Sequence, residues 1–106
     1  MDHEAFVSRA KNALRATSEG RPEVAAAEIR ALLGDLAPAV KAGVNEWHQQ
    51  QALGLLVNAL DAAGSEKECR AAWGELIQLT QNALTYWQKA VSSAREDFAR
   101  WSEQHP

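Results

Sequence analysis

The chain has 106 residues, 46% hydrophobic and 24% charged, with a net charge of -3 and a single cysteine. Such totals describe one globular domain over 1–106. They leave no partner for an internal disulfide and argue against nucleic acid, whose phosphates call for a net basic patch. No apolar run approaches the ~20 residues of a membrane span. The opening "MDHEAFVSRAKNAL" lacks the continuous apolar stretch of a signal peptide, so the expected location is the cytoplasm.

No segment alternates apolar and polar residues over strand lengths, while Ala, Leu, Glu, Gln and Arg dominate. The expectation is an all-α fold: an antiparallel bundle of about four helices with a long C-terminal helix. A first helix is predicted from about Asp2 or His3 to Thr17, with Asp2 as N-cap and Glu4 at the positive end of the dipole. Phe6, Ala10, Ala13, Leu14 and Thr17 form its apolar face. Gly20 in "TSEGRP" suits a left-handed end.

A second helix starts near Pro22, a favourable first-turn residue, with Ala25, Ile29, Leu32, Leu33 and Leu36 as its stripe. Gly34 and Pro38 predict an interrupted helix up to about Ala42, with Asp35 available to cap an extra turn. A third helix is predicted from about Asn45, a good cap, to Ala63, with Gly64 just beyond. Its main stripe reads Gln49, Ala52, Leu53, Leu56, Val57, Leu60 and Ala63.

The fourth helix carries the clearest start. Ser65 and Glu68 in "SEKE" fit a capping box, in which each side chain satisfies the other's backbone N–H. No strong stop follows until Pro106; Gly74 costs about 1 kcal/mol relative to alanine but does not end a helix by itself. Trp73, Leu76, Thr80, Ala83, Trp87, Val91, Ala94, Phe98 and Trp101 recur at steps of three and four. At ~100° per residue they make one stripe, and the plain expectation is that it packs in the core. Tyr86 lies off the stripe and is expected to be exposed. A helix from Ser65 to Gln104 would be ~60 Å long, against ~13 Å for the radius of gyration of a compact chain. Either it breaks, near "TQN" or at the Ser92–Ser93 pair, or its far end needs cover, for which the returning first helix is the favoured expectation and a second chain the next.

Charge is sparse in two segments. Ala42–Leu60 holds only Glu46, and Ala71–Gln88 only Glu75. Their outer positions are polar but uncharged, as in the centres of protein interfaces. On the third helix, Trp47, Gln51 and Leu55 lie opposite the main stripe. They are either the second buried face of a central helix or, with Tyr86, a protein-binding patch; Trp is enriched among residues that carry binding energy.

The sequence carries no recognisable catalytic or metal-binding pattern. No phosphate loop, nucleophile elbow, H-E-x-x-H or E-x-x-H spacing occurs. His48 reads as a boundary residue and Cys69 as a small buried hydrophobe. Carboxylates such as Glu96 and Asp97 fall on a solvated face without the apolar pocket that acid–base chemistry needs. The Trp-x-Gly turn of small secreted helical hairpins is missing, since Gly74 directly follows Trp73, and no repeat unit recurs. No enzyme activity, cofactor, metal or small-molecule substrate is therefore expected. The favoured role is a small acidic module that binds and neutralises one cognate protein, in the way of bacterial immunity proteins and antitoxins. The alternative is a self-associating structural protein, with a homodimer as one form, or a chaperone or adaptor subunit of a larger complex.

Overall fold

The computed structural model describes residues 1–105 and contains four α-helices: α1 (His3–Ser18), α2 (Pro22–Lys41), α3 (Glu46–Ala62) and α4 (Glu66–Gln104). Pro106, the expected stop, lies outside the described residues. The fold is all-α, with a long C-terminal helix, as the composition and periodicity predicted. Each helix packs on the next in the chain, and α1 also reaches α3. The core therefore sits between α1, α2 and α3, while α4 packs on α3 and is tied to α2 by the Arg30–Glu68 ion pair.

Local chemistry explains most helix ends. The Asp2 carboxylate accepts the Ala5 N–H at 2.8 Å, which satisfies one of the free donors at the start of α1. At the other end Gly20 adopts φ +78°, and the Arg21 N–H reaches the Ala16 carbonyl at 2.8 Å. Gly64 closes α3 in the same manner, with the Ser65 N–H on the Leu60 carbonyl at 3.0 Å.

Three local expectations fail, each for a visible reason. α2 is uninterrupted through Gly34 and Pro38. The proline removes only one bond near the helix end, and Gly34 is exposed, so its carbonyl can turn to water. Asp35 caps nothing; it forms an ion pair with Arg9 of α1 at 2.6 Å. Asn45 occupies the N-cap position of α3 but sits at φ +63° without a capping bond. Its side-chain amide donates to the Met1 carbonyl and meets His48 Nδ1, both at 3.0 Å, and so ties the chain's beginning to α3. The capping box at Ser65 does not form, because Glu68 is drawn to Arg30 of α2.

Phe6, Ala10, Ala13 and Ala16 of α1 are buried against Ala25, Ala26, Ile29, Leu32 and Leu36 of α2 and Ala52, Leu56, Val57, Ala59 and Leu60 of α3. Alanines on α1 and α2 allow close approach, and Ile29, Leu32 and Leu36 fill the space between. Each such large side chain contributes about 1.5–3 kcal/mol through its removal from water. Leu14, expected in this face, is instead half exposed, and Ala16 takes its place. Gln49 is half-buried, and its Oε1 has no hydrogen-bond partner among the described residues. Cys69 is buried, with Sγ 3.6 Å from the Val57 carbonyl, and Ala72 packs beside it.

Candidate protein-docking surface

α4 has 39 residues and only its first part is covered. Cys69 and Ala72 are buried, and Leu76, Leu79 and Thr80 are half-buried, against α3. From Gln81 to His105 every residue is exposed except Ala90 and Ser102, which are half-buried. By the α-helical rise this bare segment is ~36 Å long.

The expected stripe continues along it without cover. Trp87 is 64% exposed, Phe98 67% and Trp101 55%, with Leu84 and Val91 open between them. The rings that sequence periodicity assigned to the core are therefore surface, because nothing among the described residues reaches them. α1 is not their cover: it packs on α2 and α3 and does not lie along α4. Its 16 residues approach α4 only near its start, where Leu14 borders the same cleft as Trp73 and Leu76. The exposed rings touch one another instead. Tyr86 and Trp87 meet edge-on at 5.6 Å, Phe98 stacks with Trp101 at 6.2 Å, and Trp101 stacks with His105 at 4.5 Å.

The four residues singled out on α3 and α4 divide between two neighbouring clefts. Trp47 (55% exposed) and Tyr86 (66%) share a cleft with Glu46, Gln50, Leu79 and Trp87. Gln51 and Leu55 line a second, with Leu14, Trp73 and Leu76; Trp47 stands between the two and borders both. Gln51 is exposed, whereas Leu55 is half-buried and leans on the core. α3 is thus not buried all round, and a Trp at its start projects outward. The first cleft measures about 720 Å³, but its aromatic walls are more than half open to water. It does not enclose a small molecule as a ligand pocket does; it is a place against which another surface can lie.

On the α1 side Trp47 closes an aromatic cluster. Phe6 packs edge-on against His48 at 4.6 Å, and Trp47 against His48 at 5.3 Å. His3 Nδ1 lies 3.1 Å from His48 Nε2. His48 is accordingly a half-buried boundary residue. This cluster holds the inner edge of Trp47 while its outer face stays wet.

Trp73, expected in the core with the rest of the stripe, is about half exposed, and so are Ile77 and Leu84, which the stripe did not include. The available signal was helix length: no other helix is long enough to accompany one of 39 residues. Charge on this surface is sparse near the clefts and gathers beyond Gln88. Lys89, Arg95, Glu96, Asp97, Arg100 and Glu103 lie toward the far end, with Arg100 paired to Asp97. Among the described residues no three His, Cys, Asp or Glu side chains gather as a metal site, and no helix is long and apolar enough to cross a membrane. Comparison with known proteins adds no relative: no family model, curated protein or solved structure matches the chain.

Proposed function

We propose that this chain is a non-catalytic protein-binding module whose working part is the open face of α4, continued by the clefts beside Trp47. The observation that carries the proposal is the row of apolar side chains beyond Gln81, which no other described part of the chain covers. Monomeric proteins rarely expose contiguous apolar patches of more than a few hundred Å². A helix presenting such a stripe is the usual partner of a groove or of another helix. The specific role first inferred, binding and neutralising a cognate protein in the cytoplasm, needs a surface of this type. Trp47, Gln51, Leu55 and Tyr86 then form its inner margin, with Trp87, Phe98 and Trp101 as the main anchors. Self-association is the second reading, favoured by the length and regularity of the bare stripe.

A photoreactive residue placed at Ala94, on the stripe, should give discrete covalent adducts to protein in an extract of the source cells or to the chain itself. The same group at Lys89, on the opposite face, should give few. Equal labelling at both positions, or none at either, would sink the proposal.

A further inference from the structure

Building on the docking role of α4, we propose that the occupant of its open face is a second copy of this chain, packed antiparallel along residues 73–105. The spacing is the first argument. Ile77, Leu84, Val91 and Phe98 recur every seven residues, and so do Trp73, Thr80, Trp87, Ala94 and Trp101. Together they alternate steps of four and three without a break. The row that passes through Leu76 and Ala83 contains two consecutive steps of four; Ile77 and Leu84, both open, remove that irregularity. A period of 3.5 residues belongs to a helix coiled left-handedly about a similar helix, whereas a helix lying on a mixed surface follows 3.6.

The second argument is volume. With two copies antiparallel and centred level with Lys89, Trp87 faces Val91 of the other copy and Leu84 faces Ala94. Thr80 then meets Phe98, and Ile77 meets Trp101. Every one of these layers sets a larger side chain against a smaller one, which is how interdigitated cores reach crystal-like density. A parallel pair in register would instead set Trp87, Phe98 and Trp101 each against itself, and Thr80 against Thr80.

The third argument is charge. The positions flanking the seam include Gln81, Ala83, Gln88 and Ala90, with Arg95 and Asp97 as the only charged members before the helix end. In the antiparallel register Arg95 lies level with Ala83 and Asp97 with Gln81, so no like charges meet. A surface built for an oppositely charged partner would carry one sign along its flanks. Neutral flanks around an apolar centre characterise homodimers.

Area agrees. Trp73, Trp87, Phe98 and Trp101 are each about half to two-thirds open. Their burial removes on the order of 100 Å² per ring from water. Two copies give ~800 Å² from rings alone, and the aliphatic members bring the total toward the ~1,200–2,000 Å² of stable interfaces. The same register carries the C-terminal end of each α4 to the cleft beside Trp73 of the other copy, and so covers that tryptophan.

Light scattering on the full chain at micromolar concentration should give twice the 11.6 kDa of one chain. The double variant W87D/F98D should associate at least ~100-fold more weakly, with the helicity of α1–α3 kept, and K89D should behave as wild type. Orientation is read separately in a Cys69→Ala background, so that a poorly folded double variant does not decide the matter. Chains carrying L84C and chains carrying A94C should form mixed disulfides, and neither should oxidise with itself, because like positions lie ~15 Å apart along the axis. Self-disulfides of L84C would overturn the antiparallel arrangement. A chain that stays monomeric at all concentrations would overturn the second copy as occupant; adducts from Ala94 to another protein would then leave the docking role itself standing.

Discussion

Single residues show which local rules survive tertiary contact. Asp2 caps α1 through the Ala5 N–H, so Asp2→Ala should cost about 1 kcal/mol in chemical denaturation. Glu68 behaves differently. Its sequence position reads as half of a capping box, yet the carboxylate pairs with Arg30, with both side chains more than half exposed. Exposed ion pairs are worth little. Glu68→Ala should therefore change stability by less than ~0.5 kcal/mol, whereas a formed capping box would give a loss of about 1 kcal/mol. Leu36 is fully buried between α1, α2 and α3. Leu36→Ala should cost about 2–5 kcal/mol, the range for a leucine deleted from a packed interior. The apolar spacing in α2 identified this residue correctly, because a helix can offer only one face to a compact core. The same spacing mistook Leu14 for core. Small alanines let α1 approach α2 so closely that the row through Ala13 and Ala16 fills the contact.

At the scale of elements, all four helices and most of their ends follow from caps, glycines and period. α4 is the exception in what its period means. A regular apolar stripe says that a helix expects company, not which company. Gly74 lies in the covered part of α4, and a Cβ built there meets nothing within 4 Å. Gly74→Ala should accordingly stabilise the helix by about 0.5–1 kcal/mol, seen as a raised melting temperature. The bare segment beyond Gln81 has no such support, and helices owe most of their stability in water to a packed face. In the W87D/F98D variant, amide hydrogen exchange should be fast from Leu84 to Gln104 and slow in α2 and α3. Slow exchange throughout would mean that some part of the chain covers α4 after all.

The whole molecule measures 64 × 29 × 22 Å, with a radius of gyration of 18.5 Å. A compact chain of this length would have ~13 Å. The difference is the projecting end of α4. A protein of this shape whose apolar face is closed by a second copy is stabilised by mass action. Its melting temperature should rise with protein concentration, and that of W87D/F98D should not; a wild-type melt independent of concentration would contradict assembly.

The residues alone determined that this chain is helical, where its helices begin and end to within a residue or two, and which faces are apolar. These properties are set by hydrogen bonds and periodicities that span a few positions. Only the tertiary structure decided that Trp87, Phe98 and Trp101 are bare, that Trp47 projects at the edge of two clefts, and that α1 packs on α2 and α3 and leaves the far end of α4 open. Burial depends on which elements lie alongside one another. An apolar row of a given spacing is the same whether its cover comes from its own chain or from another.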